Sequence, residues 1–178
     1  MKLFSTFLSV LALTVAGCSH APKSNIDSFS ENQKTKMAQG EVFDEANFVF
    51  WTAGYVPTQQ DIASLREVWV ESNQSFPESA SIRDVERAIQ TPNSYVVLIA
   101  LFMTEYENAD LKSTTLGWAV GPTPRSIVEL DEKDVPLRTL MPVENAWARY
   151  FLVRYDRTNG LSEITISKRS KKVNLVLP

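Results

Sequence analysis

Residues 94–103 read SYVVLIALFM, a serine followed by nine apolar residues without a charge. Pro92-Asn93 precedes the run, and the acidic stretch EYENAD follows it. An unbroken apolar run of this length reads as a central strand covered on both faces. Upstream, FVFWTAGYV at 48–56 has a similar aromatic and β-branched make-up and reads as a second buried strand or the start of a packed loop. Between the two runs the apolar period becomes helical. Thr58-Gln59-Gln60-Asp61 resembles a capping box, and Ile62, Leu65, Val68 and Trp69 follow it, which predicts a helix over 58–73. Ser81-Ile82-Arg83-Asp84 repeats the signature, with Ile82, Val85 and Ile89 on one stripe and Pro92 beyond it. The second helix is therefore expected over 82–90.

Downstream, LGWAVG, SIVEL and LRTLMP read as further strands separated by GPTP and DEKD turns. Asn159-Gly160 is a preferred pair for a two-residue hairpin turn, because both central positions need positive φ. That turn sets 157 opposite 162, 155 opposite 164 and 153 opposite 166. Phe151, Val153, Tyr155, Ile164 and Ile166 then share one face, and Asp156 stands opposite Glu163 on the other. After the basic turn Lys168-Arg169-Ser170-Lys171-Lys172, a last strand puts Val173, Leu175 and Leu177 on one side. The expected fold is α+β, with two helices packed on a mainly antiparallel sheet of five to seven strands. The alternative is a β-sandwich with a helical insertion.

Charge is unevenly spread. Residues 18–134 carry 9 Lys/Arg against 18 Asp/Glu, whereas residues 135–178 carry 8 against 3. Four of those eight cations, Lys168, Arg169, Lys171 and Lys172, crowd the basic turn. They suit contact with anionic lipid or an acidic partner, and they equally suit a solvated tip that discourages strand-edge pairing. Across the predicted hairpin, Asp156 and Glu163 would form a like-charge pair, which is either a cation site or a cluster neutralised by Arg154 and Arg157. Of the four tryptophans, Trp69 belongs to a core stripe. Trp51 and Trp147 lie near expected strand ends and are the candidates for a protein interface.

The N-terminus bears on the address. MKLFSTFLSVLALTVAG has a basic start, an apolar stretch over 3–15 and small residues at its end, the layout of a secretory signal. The stretch falls short of the roughly 20 apolar residues a spanning helix needs. Val15-Ala16-Gly17-Cys18 resembles the lipobox of bacterial lipoproteins. That resemblance covers residues 1–18. It implies cleavage before Cys18, a diacylglyceryl thioether on its sulfur and acylation of the new amine. Two or more acyl chains hold a protein at a membrane, each buried methylene adding about 0.8 kcal/mol. Ser19 stands where family members retained at the inner membrane often carry Asp, so the resemblance implies the outer membrane with the domain facing the periplasm. Inner-membrane and cell-surface placement stay open.

The expected organisation is a signal peptide over 1–17, a lipid-anchored flexible linker over 18–40 and one globular domain over 41–178. As a coil, the 22 residues after Cys18 have an end-to-end distance of about 25 Å, and about 75 Å when fully extended. A short helix around 30–39, ending at Gly40, is also considered.

Cys18 and His20 are the only cysteine and the only histidine in the chain. With Cys18 lipidated and His20 in the tether, no Ser-His-Asp or Cys-His constellation and no usual zinc ligand set is expected in the domain. No catalytic residue, metal site or cofactor is assigned. The favoured reading is a non-enzymatic lipoprotein that binds a protein partner in an envelope assembly. ARYFLVRYDR and ITISKRSKKVNLVLP are similar to the closing strands of small secretion-system lipoproteins, including those of type VI machines. That likeness covers about thirty residues and implies a secretion system as the assembly. A second reading is a lipoprotein that binds lipid or glycan phosphate through the 168–172 turn. A third is a carboxylate-dependent hydrolase of envelope polymers. Nucleic acid is not an expected partner.

Overall fold

The computed structural model describes residues 24–156 and 161–177. Four helices, α1 (Asn25–Lys34), α2 (Gln59–Glu71), α3 (Ala80–Gln90) and α4 (Val135–Leu140), accompany eight strands. The strands are β1 (Ala38–Asp44), β2 (Asn47–Tyr55), β3 (Ser94–Phe102), β4 (Trp118–Gly121), β5 (Ser126–Leu130), β6 (Arg149–Asp156), β7 (Glu163–Lys168) and β8 (Lys171–Val176). They form a five-stranded sheet in the order β1-β2-β3-β6-β5 and a three-stranded sheet in the order β4-β7-β8. Every pairing is antiparallel. The fold is α+β.

β3 occupies the middle of the larger sheet, as its apolar run requires. Val96, Leu98 and Ala100 point into a core shared with Ile62, Leu65, Ile82, Val85 and Leu137 from the helices. Val97, Ile99 and Leu101 point the other way, into a core shared with Trp118, Ile164, Ile166 and Leu175 of the smaller sheet. The larger sheet is thus sandwiched, with helices on one face and a second sheet on the other. Two glycines let the sheets approach. A Cβ at Gly54 would lie 3.1 Å from Leu175 Cδ1, and one at Gly40 would lie 2.3 Å from Val173 Cγ2.

α2 begins as its capping box dictates, with Thr58 Oγ1 accepting from the Asp61 N–H and the Asp61 carboxylate accepting from the Thr58 N–H. α3 starts two residues earlier than Ser81 suggests. Ser79 caps it by accepting from the Ile82 N–H at 2.9 Å, and Ser81 is buried within the first turn.

Several expectations are corrected. β6 and β7 are not a hairpin. Both edges of β6 are taken by β3 and β5, while β7 pairs with β4 and β8. The Asn159-Gly160 pair itself lies outside the described residues. Phe151, Val153, Tyr155, Ile164 and Ile166 do share one core, but across the space between two sheets. Alternating apolar residues specify a common core and are satisfied as well by facing strands as by paired ones. β6 also sends Tyr150 and Leu152 into the helical core, so it needs a central place, whereas β7 is buried on one face only.

Asp156 therefore does not oppose Glu163. It stands opposite Ser94 and is ion-paired with Arg125 at 3.2 Å, while Glu163 opposes Val176. LRTLMP is not a strand. Asp134 caps a helix there by accepting from the Leu137 N–H at 3.0 Å, and Pro136 sits in the first turn, where a missing N–H costs nothing. Part of the 18–40 segment is helical. Residues 25–34 form α1, started by a capping box between Ser24 and Asp27, and Phe29 and Gln33 are buried against the fold. Gly40 ends no helix but lies within β1. The polar look of α1 reflects its narrow buried stripe. Among the described residues no helix is long and apolar enough to cross a membrane.

Candidate functional site

Two neighbouring grooves open near the β1–β2 hairpin and the C-terminal end of β3, with Phe48 lining both. Phe48 packs edge-on against Phe43, ring centroids 5.9 Å apart, and lies 5.7 Å from Phe102. Phe43 is 51 % exposed.

The first groove, about 500 Å³, has Trp51 and Phe102, cross-strand partners in the β2–β3 pairing, on its wall. The loop that follows α4 forms another part of the lining, with Pro142, Val143 and Asn145. Trp147 projects from that same loop and is 71 % exposed. Its N–H donates to the Asn145 side-chain oxygen at 2.9 Å, which fixes the loop's course beneath the exposed ring. Of the two tryptophans singled out in the sequence, Trp51 is half-buried in the lining of this groove, and Trp147 is exposed two residues beyond Asn145 of the lining without being part of it.

The second groove, about 550 Å³, runs under the two-residue turn of the β7–β8 hairpin. Of the four basic residues in that turn, Lys168, Arg169 and Lys171 line it. Lys172 is exposed, opposite Ser167 in register, and is not part of the lining. Lys171 Nζ is paired with Asp44 at 2.5 Å. Lys168 has no such partner. Its Nζ lies 3.1 Å from Met103 Sδ and 5.2 Å from the centroid of the Trp118 ring. Burial and the neighbouring Arg169 charge pull the Lys168 ammonium below the usual lysine range, against a smaller opposing pull from Glu105. Arg169 takes a left-handed backbone conformation, φ 55°, and its N–H donates to the Gly117 carbonyl at 2.8 Å.

A third polar cluster was not legible in the sequence. Arg149 pairs with Glu129 and places its guanidinium 5.2 Å from the Tyr106 ring centroid and 5.7 Å from that of Phe151. Lys112 reaches the same carboxylate at 2.7 Å. Burial raises the Glu129 pKa, but the hydrogen bonds from Lys112 and Arg149 prevail and hold it below the usual range. Elsewhere, the bidentate Arg66–Glu86 pair lowers the Glu86 pKa, and Asp61 is held at about 2. A general acid needs a raised carboxyl. The shifted carboxylates here are all moved the other way by adjacent cations. Among the described residues no group of three or more His, Cys, Asp or Glu could hold a metal ion. Cys18 lies outside the described residues.

Comparison with protein-family models, with curated proteins and with solved structures finds no match for this chain.

Proposed function

We propose that this chain is a lipoprotein of the bacterial envelope, anchored through acylated Cys18 at the outer membrane with its domain in the periplasm. We propose further that it acts without catalysis by docking a protein partner, as an accessory of an assembly such as a secretion system. The observation that carries the docking reading is the exposed Trp147, 71 % in solvent, on the loop whose residues 142–145 line the groove that holds Trp51. Tryptophan is enriched among the residues that carry binding energy at protein interfaces, and the groove adds Phe48 and Phe102 to a rim of Lys34, Glu41 and Glu144. The anchor reading rests on the signal and the Val15-Ala16-Gly17-Cys18 motif.

α1 changes the geometry of this proposal. From Cys18 to Ser24, the N-cap of α1, the chain advances six residues. At about 3.3–3.6 Å per residue that is a reach of roughly 20 Å. A lipidated protein would hold its domain close against the bilayer, and its partner would meet it there.

A photo-crosslinking residue at position 147, with one at position 172 for comparison, tests the docking reading in cells. Capture of one envelope protein in stoichiometric yield from 147 but not from 172 is expected. Equal yields from both positions would rule the groove out as the interface. Metabolic labelling with a palmitate analogue tests the anchor, since Cys18→Ala must lose the label.

A further inference from the structure

Lys168 and Lys171 stand directly opposite each other at the neck of the β7–β8 hairpin. Like charges in that arrangement destabilise a strand pair unless something neutralises them. Asp44 neutralises Lys171. Lys168 is half-buried, its Nζ beside the Met103 sulfur and over the Trp118 ring, and among the described residues it makes no direct ion pair, although Glu105 of the same groove acts on it electrostatically. Arg169, exposed beside it, also makes no ion pair among the described residues. The turn backbone is tied to the chain before β4, since the Arg169 N–H donates to the Gly117 carbonyl at 2.8 Å. Two cations without a direct ion pair among the described residues thus line a groove of about 550 Å³, within the range of small-molecule sites.

We propose that this groove binds an organic phosphate, with the phosphate between Lys168 Nζ and the Arg169 guanidinium and the organic part on Phe48, Val49 and Met103. Charge balance narrows the class. Lys168, Arg169 and Lys171 face Asp44 and Glu105 around the groove, which leaves one positive charge. A phosphodiester carries one negative charge and matches it, whereas a dianionic monoester leaves an excess beside Glu105. Phe48, Val49 and Met103, the apolar part of a largely polar lining, favour a diester with a hydrocarbon portion. This site is separate from the Trp147 groove and does not depend on the docking reading. It differs from a basic fingertip in one testable respect, namely that Lys172 is no part of it.

The test is calorimetric titration of the purified full chain with dihexanoyl phosphatidylglycerol and with its deacylated counterpart, glycerophosphoglycerol. Trp118, under Lys168, gives a second readout by fluorescence. Lys168→Gln should weaken binding at least tenfold, the loss of a charge-assisted hydrogen bond, and Lys172→Gln should change it less than twofold. Binding of the lipid alone identifies a headgroup with its chains, and equal binding of both probes identifies a soluble diester. Each result supports the site. If Lys168→Gln proves unfolded by its thermal transition, Arg169→Gln, at an exposed position, carries the comparison. Failure of both probes to bind, or an equal loss from Lys172→Gln, would overturn the proposal.

Discussion

Asp61 offers the sharpest test of how the fold is held. It sits at the third position of α2, only 5 % exposed, and each of its oxygens has two donors. One accepts from the Thr58 N–H at 2.9 Å and the Thr58 hydroxyl at 2.6 Å. The other accepts from Lys36 Nζ at 2.6 Å and Gln33 Nε2 at 3.3 Å. Gln33 and Lys36 belong to the end of α1 and the turn after it, so a single carboxylate caps α2 and pins the N-terminal helix to it. Burial raises its pKa, but the hydrogen bonds from Lys36 and Thr58 outweigh that and bring it from 3.8 to about 2. At 1.36 kcal/mol per unit this linkage is worth about 2 kcal/mol. Because the folded value is the lower one, the stabilisation is complete above about pH 4 and is lost as pH falls toward 2.

Asp61→Asn removes the charge and turns one acceptor oxygen into a donor facing donors. It should cost about 2–3 kcal/mol at pH 7. For a chain of this size that is a fall of about 5–10 °C in Tm. The assay is urea unfolding followed by tryptophan fluorescence at intervals from pH 7 to pH 2, for both proteins. Glu86 and Glu129 also lose protons more readily than usual, so the quantity to read is the difference between the two curves. It should be flat down to about pH 4 and then shrink by about 2 kcal/mol toward pH 2. Parallel curves across that interval would show that Asp61 does not carry the linkage.

Gly40→Ala should cost about 1–3 kcal/mol by overpacking, since the added methyl would meet Val173 at 2.3 Å. Adding Val173→Ala should recover part of that loss, a non-additivity that urea unfolding of the four-member cycle measures. Ser79→Ala should cost about 1–2 kcal/mol in the same assay, because Ser79 caps α3 and its hydroxyl also holds Asp134, the cap of α4, at 2.7 Å. Arg149→Met keeps the stem over Tyr106 and Phe151 but removes one of the two cations that hold Glu129. The Glu129 pKa should rise toward its ordinary value, as NMR titration of the side-chain carboxyl would show.

Where the sequence was read through a local device, the structure agrees. The Thr58–Asp61 box and the apolar run at 94–103 are each complete within about ten residues, and α2 and β3 lie where those residues put them. The misreadings arose where a choice among distant partners decided the outcome. The alternation in β6 and β7 specified the shared core but not whether Val153 and Ile166 pair or face each other. That depended on β5, a five-residue strand that claims the outer edge of β6. LRTLMP was ambiguous by composition, and Asp134 and Pro136 decided it for helix. In α1 the buried surface is little more than Phe29 and Gln33, too small a stripe to outweigh its polar neighbours on the page. At the candidate sites, Trp51 and Trp147 could be picked out by residue type. Phe48, which joins both grooves, could not, since its role depends on a hairpin tip meeting the end of β3.

The basic turn shows how much register decides. In the sequence, Lys168, Arg169, Lys171 and Lys172 are one cluster with one character. In the fold they divide into three roles. Lys172 stands in solvent on β8, an edge strand, where an exposed lysine discourages pairing with another chain. Lys171 reaches across to Asp44 and ties the smaller sheet to the β1–β2 hairpin. Lys168, one register step from the turn and on the inward face with Ile164 and Ile166, is drawn over Trp118 and half out of water. Edge protection accounts for the first, and an ion pair between sheets for the second. Neither accounts for the third, because a lysine serving only solubility loses stability when its ammonium is partly desolvated with no direct ion pair and only the more distant Glu105 to offset it. A groove left with one excess positive charge around a partly desolvated ammonium is stabilised by an anion that binds there, and that is the physical ground for separating Lys168 from its neighbours.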